Sequence, residues 1–321
     1  MQILRKLLRR KATRQGVVGI SFLPQGIAVA LSKYKADSIL TLSLCEFIPV
    51  ADPSRLEEAL YSLLHRYKLG KYDCHLVILG SDYRSTNIEA PAVAEDEMRE
   101  AIRWKINEVM DFPIDTTNID YYAMPAGKNA SANKMLTVVA SSNEVLEKNV
   151  GLCHQAGLQL QIIDIQETVL RNLAALLPEN ERGIAVLHLQ KSTGMIIIQK
   201  SGTLYLSRKL DIGYERLGLA EGPEADDQVQ QRQGNLALEI QRSLDYFESY
   251  YGIPAISGIA VIPMPDNTQQ LLNTLNSRHG ITARIMDLSA IMNCDMVLDD
   301  ATQSLCAPVI GATLRYALES G

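Results

Sequence analysis

The residues of this chain best suited to grip a phosphate are Lys191, Ser192 and Thr193, a cation and two hydroxyls ahead of Gly194. Such a site needs backbone amides that approach the anion closely, and hydrolysis also needs an acid to hold magnesium. The glycine spacing that would precede Lys191 in a Walker loop is missing. Glu239 and Arg242 are a second charged group, three positions apart on one helical face, where they either flank a ligand or form an exposed pair. Other chemistry is thinner. His65, His75, His154, His188 and His279 show no zinc-ligand spacing, so no metal site is expected. There is no G-x-S-x-G elbow, and no cysteine stands in a nucleophile context. Cys45, Cys74, Cys153, Cys294 and Cys306 are odd in number and unpaired in metal style, which reads as buried thiols in a reducing compartment. The acids from Glu221 to Asp227 have the wrong spacing for an EF-hand and are expected to solvate a loop.

Positioning any of these groups takes a sizeable body. A chain of 321 residues, 47% apolar and 21% charged, predicts two domains or one bilobed globule. A net charge of -6 argues against a nucleic-acid partner. No apolar run approaches the roughly 18 residues of a transmembrane helix, so a soluble or peripheral protein is expected. The amino terminus departs from the acidic balance. Arg5, Lys6, Arg9, Arg10, Lys11 and Arg14 flank Ile3, Leu4, Leu7 and Leu8, which on a helix form one stripe. Residues 1–15 read either as an amphipathic anchor on an anionic membrane or as a disordered basic tail.

Strands are expected at 17–22, 27–33, 39–47 and 74–79, with a helix at 54–67. The pattern restarts after the polar stretch 178–182, with strands at 183–189, 194–199 and 204–210, a polar loop at 219–234, and a helix at 235–251. A strand at 258–262, a helix at 267–279, a strand at 282–286 and a helix at 304–318 complete it. Two similar halves suit a bilobed α/β fold. Residues 83–156 interrupt the first half, giving lobes of 16–82 plus 157–178 and of 179–321. Within the interruption, Pro91 precedes a helix whose first turn carries Glu95, Asp96 and Glu97 and whose apolar face is Ala101, Ile102, Ile106 and Val109. Phe112-Pro113 ends it, and a half-buried strand follows, with Ile119, Tyr121 and Ala123 inward. Trp104 lies at the edge of the helix face.

This acidic-headed helix, Phe-Pro turn and Asp-Tyr-Tyr strand resemble the inserted subdomain of the PilM-type pilus-assembly family, and among them the MshI-type relatives of the MSHA pilus. Leu238 to Phe247 also resembles the family's helix beside the nucleotide. The resemblance implies an actin-like ATPase fold of two RNase H-like lobes with an FtsA/PilM-type insertion. It also exposes departures. Ser21 stands where the family has Asp, Leu23 where it has Gly, and Pro24 removes an amide beside Gln25. His188 stands at the second acid, Gln190 at a glycine, and Ile262-Pro263-Met264-Pro265 where paired glycines face adenine. Hydrolysis is therefore not expected. No cofactor is expected, and the alternative is degenerate ATP and magnesium binding at Ser21, Gln25, Lys191, Ser192, Thr193, Glu239 and Arg242. The implied partner is the cytoplasmic tail of a single-pass, PilN-like inner-membrane protein, held in a groove between first lobe and insertion with Tyr83, Arg84, Ile88 and Trp104 as candidate contacts. The pilus assembly ATPase would be linked indirectly. The alternative readings are an ATP-driven switch and an FtsA-like filament.

Overall fold

The computed structural model describes residues 16–35, 39–107, 114–128, 134–219, 227–256 and 258–319. The basic tail with Arg5, Lys6, Arg9, Arg10 and Lys11, together with Val109 and Phe112-Pro113, lies outside them.

The first lobe begins with strands β1 (Gly16–Leu23), β2 (Gly26–Tyr34) and β3 (Leu40–Pro49), helix α1 (Leu56–Tyr67) and strand β4 (Asp73–Val77). An insertion follows, built of β5 (Arg84–Glu89), α2 (Met98–Asn107), β6 (Thr117–Ala123), β7 (Met135–Ser142) and α3 (Asn143–Gln155). The chain then returns through β8 (Gln159–Asp164) and α4 (Gln166–Ala174). The second lobe has β9 (Ile184–Leu189), β10 (Gly194–Lys200), β11 (Thr203–Leu210), the long helix α5 (Asp227–Tyr251), β12 (Ile259–Val261), α6 (Thr268–Asn273) and β13 (Ala283–Ile285). The carboxy-terminal part holds α7 (Leu288–Ile291), β14 (Asn293–Cys294), α8 (Asp300–Thr313) and α9 (Arg315–Glu319).

Three sheets result. The first has order β14-β3-β2-β1-β4-β8, the second β11-β10-β9-β12-β13, and the insertion's β5-β7-β6. The central strands β1, β2, β9, β10 and β12 are buried on both faces because both faces are covered. In the first sheet, Val18, Ile20, Ile27, Val29 and Leu76 pack with Leu60, Leu63 and Leu64 of α1. The opposite face carries Ala28, Ala30, Leu42 and Val77, which join one core with α4, α8 and the inner face of the second sheet. The second sheet's outer face packs on Leu236, Ile240 and Phe247 of α5 and on Leu271 and Leu272 of α6.

The two central helices exchange lobes. Helix α4 leaves the first lobe and packs on β9, β10 and β11, whereas α8 leaves the second lobe and packs on β1 to β4. The helix expected to close the second lobe therefore covers the first sheet. The reason is visible in small residues: a Cβ on Gly19 would lie 2.0 Å from Val309 O, and one on Gly311 2.2 Å from Val169 O. Helix α8 approaches β1 on one side and α4 on the other at distances only glycine permits. Strand β14 follows the same route and pairs parallel with β3 at Asn293↔Thr41.

Other departures have local causes. Residues 227–234, expected as loop, begin α5 because Val229 and Gln233 are buried and Gln233 Nε2 donates to Leu217 O at 2.7 Å. Strand β5 is too polar, RSTNIE, to announce itself and exists by pairing with β7. The 267–279 helix ends as a π turn, where Asn276 bonds both backbone groups of Ala283 at 3.0 Å and so blocks the free edge of β13.

Gly311→Ala should therefore cost about 1–3 kcal/mol or more, because backbone must move, whereas Gly151→Ala, with nothing within 4 Å, should stabilise α3 by roughly 0.5–1 kcal/mol. Urea unfolding of both variants checks the contrast, and similar effects would contradict the crossing described.

Candidate functional site

The two turns expected to face a nucleotide, at the ends of β1 and β9, meet across the interlobe cleft. Ser21, Leu23, Val77, Ile78, Leu79 and Gln166 line it from the first half, and Gln190, Leu305 and Pro308 from the second. The space left is about 10 Å³, room for roughly one water, against the roughly 300–1,000 Å³ of small-molecule sites. Ser21 Oγ is not offered to the cleft but donates to Val77 O at 2.8 Å. Gln25 is exposed in the turn, and its carbonyl accepts from Val50 N at 2.9 Å. Lys191, Ser192 and Thr193 are exposed, with Lys191 paired to Glu215 at 3.2 Å and Thr193 Oγ1 donating to Gln190 Oε1 at 3.3 Å. Glu239 bridges Arg208 at 2.9 Å and Arg242 at 2.8 Å. The structure thus brings Ser21 and Gln190 to the cleft and leaves Lys191, Ser192, Thr193, Glu239 and Arg242 in surface pairs and turns.

His188, expected to stand where the family has its second acid, has a structural role. Pro308 lies inside α8 and lacks the N–H that would reach Ser304 O one turn back. His188 Nε2 lies 2.9 Å from that carbonyl and, since a carbonyl only accepts, must carry the proton. His75 Nδ1 donates likewise to Ala312 O at 2.8 Å, and Asn172 Nδ2 to Gly311 O at 3.0 Å beside the capping bond from Leu314 N at 3.2 Å, in the last turn of α8. The other ring nitrogens, His75 Nε2 and His188 Nδ1, are buried without a donor among the described residues. Burial pushes both histidines below their ordinary pKa, outweighing the bonds to Ser304 and Ala312. Both are neutral donors that hold α8. Among the described residues no group of three or more His, Cys, Asp or Glu side chains is placed to hold a metal.

A second polar cluster sits where the insertion joins the lobes. Tyr83 is buried, and its hydroxyl donates to Glu167 in the first turn of α4 while accepting from Gln166 N at 3.3 Å. Ser85 Oγ donates to the other Glu167 oxygen at 3.3 Å. Lys209 of β11 lies 5.0 Å over the Tyr83 ring and donates to Gly80 O. Burial raises the Glu167 carboxyl above its usual range despite the Tyr83 bond, and it depresses Lys209. Tyr122, expected to face outward, instead packs against the central core and the outer core of the first lobe, with its hydroxyl pushed up to about 12 by burial. The insertion also reaches the second lobe, where Lys128 N donates to Tyr250 O at 3.0 Å and Gly127 lies against the Tyr250 ring.

Of the expected partner contacts, Tyr83 is thus a buried hinge residue, and Ile88 is core, packed with Ile102, Ile106, Ile119 and Val138. Arg84 and Trp104 are on the surface, Trp104 being 69% exposed. Arg84 is the first residue of β5, an edge strand with no further strand beside it among the described residues. Ala90 N donates to Lys134 O, so by alternation Ser85, Asn87 and Glu89 turn their backbone groups outward. Lys105 Nζ already covers Glu89 O at 2.9 Å. Sequence reasoning missed this edge because a polar strand has no apolar alternation to betray it.

Comparison with known proteins follows the same lines. The family model described as type IV pilus assembly protein PilM matches residues 34–218, more than half of the chain. Among solved structures, the chain is similar to the PilM-PilN type IV pilus biogenesis complex, with 17% identity, 94% of this chain and 98% of that chain covered, and a TM-score of 0.70. It is also similar to a Bacteroides thetaiotaomicron protein with actin-like ATPase fold and unknown function, at 11% identity, 87% and 93% coverage and a TM-score of 0.50. No curated protein matches the sequence. The bilobed body is the actin-like ATPase fold.

Because the two histidine pKa values are lowered on folding, the unfolded chain binds more protons below about pH 6.5, and stability should fall as pH drops from there. His188→Gln keeps an amide N–H for Ser304 O but does not titrate. Urea midpoints between pH 7.5 and 5 should fall less steeply for this variant, and an unchanged slope would remove His188 from the account.

Proposed function

Because the chain belongs to the type IV pilus assembly protein PilM family, we propose that it is a scaffold of MSHA-like pilus biogenesis that captures a partner's tail rather than turning over ATP. The partner is the cytoplasmic tail of a single-pass, PilN-like inner-membrane protein. The protein works on the cytoplasmic side of that membrane, with the basic amino-terminal residues adding surface attraction, and contacts the assembly ATPase only indirectly. The family match and the likeness to a PilM-PilN complex support the partner class. The observation that carries the choice of mechanism is the cleft: Leu23, Leu305 and Pro308 crowd it, Ser21 and His188 are spent on internal bonds, and about 10 Å³ is left. Among the described residues no strand lies on the outer side of β5, a geometry suited to an extended peptide that pairs by main chain and fills side pockets.

The test is a titration of labelled amino-terminal tails of candidate pilus membrane proteins with the full chain, without lipid. A saturable micromolar isotherm is expected for one tail, weakened about fivefold or more by Trp104→Ala if Trp104 is an anchor. Magnesium-ATP should leave both the isotherm and the melting temperature unchanged. Micromolar ATP affinity with turnover would replace this reading by an ATP switch, and concentration-dependent light scattering by a filament. If no tail binds, the scaffold reading fails.

A further inference from the structure

Residues 78–83, which join β4 to β5, are the stalk by which the first lobe enters the insertion. Polar groups from several other elements close on this short connector. Ile78 N donates to Asp164 O of β8 at 3.0 Å, and Ser141 Oγ of β7 donates to Asp82 O at 2.7 Å. The Tyr83 hydroxyl is engaged twice by α4, donating to Glu167 and accepting from Gln166 N. From the second lobe comes Lys209 of β11, which donates to Gly80 O and lies 5.0 Å over the Tyr83 ring. Gly80 leaves room for it: a Cβ there would stand 3.0 Å from Lys209 Cε and 2.8 Å from Gln166 Oε1. Lys209 thus touches the connector at two residues, from a strand on the other side of the seam.

We infer that Lys209 is a latch that fastens the 78–83 connector to the second lobe, so that the orientation of the insertion is tied to the position of β11. This latch is separate from the tail site and needs no tail to act. Its charge has a buried partner. Glu167 lies in the first turn of α4, where the helix end favours an anion, and Tyr83 and Ser85 each give it a hydrogen bond. Burial still raises its carboxyl, against the pull of Tyr83, of its own backbone N–H and then of Lys209. Burial depresses Lys209 in turn; Glu167 opposes that, Arg84 adds to it, and Asp211 and Asp82 oppose it. Tyr83 is raised well above its ordinary value, by burial first and then by Glu167, so it keeps its proton and stays the donor. Tyr122 of β6, raised by burial and then by Glu167, also faces this group and also stays neutral.

A displaced connector would return Glu167 to water and to its ordinary carboxylate range. The latched state therefore binds the Glu167 proton more tightly than the released one, and acid favours the latch. Removing the Lys209 charge raises Glu167 further, so acid should compensate for its loss. A contact made by packing alone has no such dependence.

The experiment is hydrogen–deuterium exchange of the full chain, without any tail, from about pH 8 to about pH 5.5, with intrinsic rates corrected. Lys209→Met keeps most of the stem and removes the charge. It should speed exchange in peptides covering 78–89 by about tenfold at the alkaline end and leave those of α5 unchanged. The difference from wild type should shrink as the pH falls. Tyr83→Phe should speed the same peptides, and Lys209→Met added to it should change little more. Lys200→Met, at the opposite end of the β10–β11 hairpin, should exchange as wild type. If Lys209→Met does not fold, Gly80→Ala displaces the Lys209 tip without altering any charge and should give the same local increase. The latch is overturned if the variant that folds exchanges 78–89 like wild type, or if α5 loosens as much, which marks general destabilisation. A tenfold difference for Lys209→Met that persists undiminished in acid also overturns it, since lost packing then accounts for the effect.

Discussion

Helix α8 sets the terms for the rest of the molecule. It runs between the two large sheets, touching β1 through Gly19 and α4 through its own Gly311, at distances that exclude any side chain. Its carbonyls are held by His188 from the second lobe, His75 from the first and Asn172 from α4. Each of these donors is buried, and an unmade bond at Ser304 O would leave a desolvated carbonyl at about 1–3 kcal/mol. The central core therefore belongs to neither lobe. Val77, Val186, Leu173 and Ile310 lie in one cluster that spans both.

The same helix accounts for the state of the cleft. Leu305 and Pro308 project from its middle into the space where a ligand would lie. Pro308 also creates the carbonyl vacancy at Ser304 that His188 fills. His188 and the proline whose missing N–H it replaces are thus coupled across more than a hundred residues of chain. The cleft is a packed seam between lobes, where Ser21 is bonded to the Val77 carbonyl and Gln190 to the Thr193 hydroxyl.

Much of the architecture was legible in the chain. Apolar runs such as Val17 to Phe22 and Ile184 to Leu189 declare buried strands, and the restart after 178–182 declares two halves. The family resemblance carried the insertion and the actin-like fold. What was not legible depended on partners distant in sequence. The exchange of α4 and α8 between lobes is written only in two glycines and a few alanines, whose meaning needs the crossing geometry. Tyr121 and Tyr122 could not be ranked by alternation, because β6 has a core on both sides near its end: Tyr121 packs within the insertion and Tyr122 against the lobes. That Ser21 and His188 bond to backbone could not be read without Val77 and Ser304 in view. Ile88 and Tyr83 carried no mark distinguishing interior from surface in so polar a stretch.

The attachment of the insertion at two places has a mechanical consequence. Its base is tied to the first lobe through Tyr83, Glu167 and Ser85, and its far loop to the second through Lys128 and Tyr250. A tug on anything held by β5 would not swing the insertion about a single pivot. The load divides between two anchors on opposite sides of the seam, so traction resolves into shear along α4 and α8, where interlocked side chains and buried bonds resist it together. A body braced in this manner transmits tension and behaves more like a tie-rod than a hinge.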